Sequence, residues 1–173
     1  MEPTFHQEGG GYAVHLSKGV RGLLVELCQQ SRALLAAEDP SSDPAVARLF
    51  PPAYEDDPLR NLEFETNLGA APRTGKLDAI DTVERTAHAT ALTEDEFLAW
   101  VGVVNDLRLV LGTRIDITEE ATEEDFRQDD PRHDTFRVYQ FLGYLLQEML
   151  EAMGAPGMEE PPAGSGDSVG RGD

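Results

Sequence analysis

The stretch Phe97–Leu111 constrains this chain more than any other. Placed at 100° per residue, Phe97, Trp100, Val101, Val104, Leu107 and Leu111 share one face of a helix. Leu98 and Leu109 lie on another side, and Val103 and Val110 on a third. A helix that is apolar nearly all round must be surrounded by other elements. Thr93-Glu94-Asp95-Glu96 is a capping box that opens it, and Gly112 is the expected stop.

The rest of the sequence reads as the cover. Val20, Leu23, Leu24, Leu27, Ser31, Leu34 and Leu35 recur at intervals of three and four, which predicts a helix over 18–37 capped by Ser17. Leu77, Ile80, Val83, Ala87 and Ala91 predict another over 75–91, and Val138, Leu142, Leu145, Leu146, Met149 and Met153 a last one from Asp134 to Met153, closed by Gly154. Shorter pieces are expected at Ala45–Phe50, before Pro51-Pro52, and from Pro58 to about Leu68, where Asp57 is the cap. Part of Glu119–Gln128 is also expected to be helical. Tyr12-Ala13-Val14-His15-Leu16 alternates, and Gly9-Gly10-Gly11 supplies a turn, so Thr4–Leu16 reads as a β-hairpin. The fold class is mostly α: a single-domain helical bundle over 1–153 with a short N-terminal β-hairpin. A Gly/Pro-rich acidic tail over 154–173 has little to bury and is expected to be disordered.

Charge narrows the partners. The 33 acidic residues against 14 basic ones give a net charge of −19. Such a surface repels phosphate and anionic lipid, so direct nucleic-acid binding and membrane attachment are disfavoured and a basic protein surface is the expected partner. The carboxylates are densest at Glu119, Glu120, Glu123, Glu124 and Asp125, the expected docking run; its bland reading is a solvated face. No signal segment or membrane span is seen, and with Cys28 as the one cysteine the expected location is the cytoplasm.

Within the central helix, Asn105, Asp106 and Arg108 interrupt the apolar surface, and Arg114 follows it. Buried charge has to be paired. The reading favoured here is a structural network in which Arg108 pairs with a carboxylate such as Asp106; the sharper one is a polar site in a pocket. Cys28 falls at the margin of its helix's stripe, where it can be partly exposed and open to oxidation. Mid-helix and near Glu26, it lacks the cation or helix N-terminus that lowers a thiol pKa, so a small hydrophobe is favoured over a redox residue. His6, His15, His88 and His133 are scattered without ligand spacing. The acidic run lacks the order of a calcium loop, and no phosphate-binding glycine loop or nucleophile elbow occurs. No catalytic residue, metal or cofactor is expected. The alternatives kept open are a helix-turn-helix-like DNA-binding regulator and an enzyme with a polar pocket at Asp106 and Arg108.

The stretch Trp100-Val-Gly-Val-Val-Asn105-Asp106-Leu107-Arg108-Leu-Val-Leu-Gly112-Thr-Arg114 resembles the most distinctive part of an actinobacterial family of oxidative-stress-sensing, AosR-like regulators, formerly a domain of unknown function. The N-terminal hairpin, the Leu-rich helix after it, the Glu63-Phe64-Glu65 segment and the C-terminal Leu-rich helix are also similar in layout, so the resemblance covers about residues 4–153. It implies a non-enzymatic, redox-responsive transcriptional regulator that acts with an alternative sigma factor of the extracytoplasmic-function type and controls cysteine-biosynthesis genes. It also implies sensing through an intramolecular disulfide, which a sequence with Cys28 alone cannot form.

Overall fold

The computed structural model describes residues 3–36, 43–47, 49, 73–118 and 120–154. The helix expected from Pro58 to Leu68, and the tail beyond Gly154, lie outside these residues. Strands β1 (Phe5–Glu8) and β2 (Gly11–Val14) precede helix α1 (Lys18–Leu35) and the single turn α2 (Pro44–Ala47). Helix α3 (Arg73–Thr86), strand β3 (Ala91–Thr93) and helix α4 (Glu94–Arg114) follow. A 3-10 turn at Glu123–Phe126 then leads to helix α5 (His133–Ala152). The architecture is mostly helical, as the periodicity predicts.

Helix α4 is the axis. Among the described residues, every other α-helix packs against it, as do β2 and β3, and Phe5 of β1 reaches it too. Phe97, Trp100, Val101, Val103, Val104, Leu107, Val110 and Gly112 are buried along it, which matches a helix apolar on nearly every side. Its start is fixed as expected. The Thr93 hydroxyl accepts from the Glu96 N–H at 3.2 Å, and the Glu96 carboxylate accepts from the Thr93 N–H at 2.9 Å. Its end is not where Gly112 predicts. The helix runs on to Arg114, and the chain reverses at Asp116, whose φ is +52°. Gly112 instead allows a close approach: a Cβ there would meet Ile117 Cγ2 and Tyr139 Cε2, each at 3.0 Å.

The hairpin gains a third strand. Antiparallel β2 and β3 pair Gly11 with Thr93, Tyr12 with Leu92 and Ala13 with Ala91. The helix expected to run to Ala91 stops at Thr86, because its last residues are claimed by tertiary bonds. Thr86 Oγ1 donates to the Thr82 carbonyl at 2.6 Å and accepts from Trp100 Nε1 at 2.8 Å. The carbonyls of Ala87 and Ala89 accept from the buried guanidinium of Arg21 at 2.8 and 2.7 Å. Arg21 also donates to the Leu16 and Val14 carbonyls at 3.1 and 3.3 Å, so one side chain ties α1, β2 and the α3–β3 connection together.

The inner face of the sheet rests on α4. The Phe97 ring stacks on Tyr12, with centroids 3.8 Å apart, and meets Phe5 edge-on at 5.6 Å. A second, smaller core lies past the end of α4. There Ile115, Phe126 and Phe136 are buried, Phe126 and Phe136 stack at 4.3 Å, and the Arg132 guanidinium lies 4.7 Å over Phe126. This cluster folds the acidic segment back onto α5. The helix expected within Glu119–Gln128 is reduced to the 3-10 turn, since the burial of Phe126 needs no longer element.

Candidate functional site

The polar residues of α4 do not converge. Asp106 turns toward α3, where Lys76 Nζ lies 3.0 Å from its Oδ2 with the lysine side chain 4% exposed. Burial pushes the Asp106 carboxyl above its ordinary range, and the attraction of Lys76 offsets this only in part. Arg108 points to α5 instead. Its Nη1 donates to Tyr139 Oη at 3.5 Å, its guanidinium lies 5.8 Å from that ring's centroid, and its buried Nε has no hydrogen-bond partner among the described residues. The expected Asp106–Arg108 pair is therefore replaced by Lys76–Asp106, because residues two apart on a helix point to different sides. Arg114, exposed at the helix end, holds Asp43 Oδ2 at 2.7 Å. Asn105 is half-buried.

The acidic run is exposed and in part occupied. Glu119 lies outside the described residues, while Glu120, Glu123, Glu124 and Asp125 are on the surface. Asp125 accepts from the Thr122 N–H at 2.9 Å, and Glu123 accepts from Gln140 at 3.3 Å. Beyond the run, Asp130 pairs with Arg132 at 2.9 Å, which holds its carboxyl down at about 2. An open depression of about 660 Å³ lies beside the run, with Phe126 and Phe136 as its floor and Glu123, Asp129, Arg127, Arg137 and Gln140 around it. It carries both signs of charge, so the surface is acidic around a mixed pocket.

A second groove, of about 560 Å³, opens between α1, α4 and α5 and is lined by Leu27, Leu34, Leu107, Val110 and Leu111 with Arg114 beside them. Neither Asp106 nor Arg108 lines these two cavities. No group of three His, Cys, Asp or Glu among the described residues is placed to hold a metal ion. No described helix is long and apolar enough to cross a membrane.

Cys28 sits well inside the α1 stripe, not at its margin, with no surface exposed. Burial and the neighbouring Glu84 carboxylate push its thiol up to about 12, against a weaker opposing pull from Arg32.

Residues 1–153 match the family described as a domain of unknown function, DUF2017. The chain belongs to this family. Among its curated relatives, the oxidative stress regulator AosR of Mycobacterium tuberculosis (strain ATCC 25618 / H37Rv) is 34% identical over 126 residues, covering 62% of this chain and 56% of that protein. The protein of the same name from Mycobacterium bovis gives the same figures. The putative oxidative stress regulator AosR of Mycobacterium leprae is 30% identical over 128 residues, 64% of this chain and 58% of its own. This DUF2017 chain thus spans little more than half the length of the curated relatives it matches, and the resemblance carried by the Trp100–Arg114 stretch is confirmed. No solved structure matches it.

Two buried cations of the DUF2017 chain escape a reading by acidic runs and motifs. Lys76 and Arg21 are 4% and 7% exposed. A signal for each was present. Lys76 is in phase with Ile80, Val83 and Ala87, and Arg21 precedes Leu24 and Cys28 by three and seven residues. A cation on an apolar stripe must find acceptors inside the protein.

Proposed function

We propose that this DUF2017 chain is a non-enzymatic regulator of the oxidative-stress response that works by binding another protein, an alternative sigma factor of the extracytoplasmic-function type, and thereby governs cysteine-biosynthesis genes in the cytoplasm. The regulatory part is supported by its relatives, which are named as oxidative stress regulators. The sigma-factor partner follows the family resemblance of the central stretch. The observation that carries protein binding is the exposed carboxylate rim. Glu120, Glu123, Glu124 and Asp125 are exposed, and Glu123 lines an aromatic-floored depression, on a chain of net charge −19. Acidic rims of this kind steer a basic partner into an encounter more than they hold it.

The test is association kinetics with a sigma factor recovered by pull-down, at two salt concentrations. Neutralising Glu120, Glu123, Glu124 and Asp125 to Gln or Asn should slow association markedly and change dissociation little. The salt dependence of the parent should flatten in the variant, because exposed charges are screened over about 8 Å at physiological ionic strength. Kinetics indifferent to both changes would remove the acidic rim from the interface.

A further inference from the structure

A protein that responds to oxidants through its own cysteine needs a thiol that solvent can reach and that ionises near neutral pH. Sulfenic acid forms when a thiolate attacks one oxygen of hydrogen peroxide, the O–O bond breaks and hydroxide leaves. Cys28 is denied both conditions by its surroundings. It has no exposed surface. It lies on α1 one turn before Arg32, and this face of α1 packs on α3. Arg32 bridges to Asp81 at 2.6 Å and to Glu84 Oε2 at 2.9 Å, both on α3, so the seam is bolted beside the thiol. The other oxygen of Glu84 is buried with no hydrogen-bond partner among the described residues. A carboxylate held in that position adds negative charge where a thiolate would form.

We infer that oxidants do not act on this chain through Cys28, because the α1–α3 seam walls the thiol off. The partner-binding arm of the test below rests on the function proposed above. The wall is built from the packing of two helices and the Arg32 bridge, so it is removed by opening the seam and not by changing pH within the physiological range. Cys28 then serves as a small apolar residue of the core, and any oxidant dependence of partner binding survives its replacement.

The deciding experiment is labelling of the full chain with the chromogenic disulfide 5,5′-dithiobis(2-nitrobenzoate), native and in urea. Native Cys28 should react at least about 100-fold more slowly than the unfolded thiol, because reaction has to wait for local opening. Native protein treated with peroxide should likewise keep its mass at the peptide containing Cys28. A native rate within about tenfold of the unfolded one, or a sulfenic or sulfinic adduct at Cys28 in the folded protein, overturns the inference. A second arm captures the partner with parent and Cys28→Ala chains, with and without peroxide. The same peroxide dependence in both supports it; a dependence present in the parent and lost in a normally folded Cys28→Ala chain overturns it. Failure of both chains to capture any sigma factor rejects the proposed function, while the labelling rates still decide whether the thiol is walled off.

Discussion

Lys76 and Asp106 face each other across the α3–α4 interface, 3.0 Å apart, with the lysine side chain 4% and the aspartate 19% exposed. Their separation in sequence and their placement on two different helices make the pair a cross-brace between the central helix and one of its covers.

Breaking this brace from the lysine side should be costly. Lys76→Met strands a largely buried carboxylate, and we expect a loss of about 3 kcal/mol at pH 7. The Asp106 carboxyl already titrates above its ordinary range, so between the unfolded and folded values the folded state binds more protons and stability falls as pH rises. Removing Lys76 raises that value further. The penalty should therefore be largest at neutral pH and shrink on acidification, and Lys76→Met with Asp106→Leu should recover most of it. Urea unfolding at pH 7 and pH 4 reads both. A single-variant loss below about 1 kcal/mol at pH 7 would show that the pair is not buried in solution.

Asp130 gives the opposite sign. Its folded-state value of about 2 lies below the ordinary one, held there first by the Arg132 side chain. The stability it contributes is present above the unfolded value and is lost as pH falls toward 2. Asp130→Asn should be less stable than the parent at pH 6, and the gap should close by pH 2. Parallel curves across that range would refute the assignment.

Gly11→Ala should be damaging although Gly11 sits in an ordinary strand. The added methyl would fall on the backbone carbonyl of Leu92, which no rotamer change can relieve. The β2–β3 pairing must part, and we expect a loss of about 2 kcal/mol or more. Thermal unfolding measures it; an unchanged midpoint would mean that β3 is not seated on β2.

Arg108→Ala should cost far less than pairing with Asp106 would imply. It makes a long bond to Tyr139 and a cation–π approach at 5.8 Å, together worth about 1 kcal/mol. A loss above about 3 kcal/mol in denaturant unfolding would show that Arg108 does hold a buried carboxylate.

What could be read from the sequence was what depends on neighbours along the chain. The capping box at Thr93, the α5 boundaries and the buried character of α4 all follow from spacing and local hydrogen bonding. The end of α3 did not. Ala87 and Ala91 continue the apolar spacing, and nothing nearby reveals that Arg21, 66 residues earlier, takes the Ala87 carbonyl. Strand β3 is three residues long with one buried side chain, too short for alternation to show. The full burial of Cys28 was not legible for a related reason: a stripe's edge becomes its interior when a second helix packs on that side, and α3 does so. The choice of Lys76 over Arg108 for Asp106 is likewise a fact about two helices, not about one.

The Arg21 clamp bears on the order in which the protein is made. During synthesis the hairpin and the first helix leave the ribosome early, yet two of the four carbonyls that satisfy this guanidinium belong to residues 87 and 89. The aromatic residue under the hairpin, Phe97, comes later still. The hairpin and first helix therefore lack these partners until the central helix has emerged. A ribosome stalled before that point would display an unfinished sheet edge and an unsatisfied cation, which is the state a chaperone would meet.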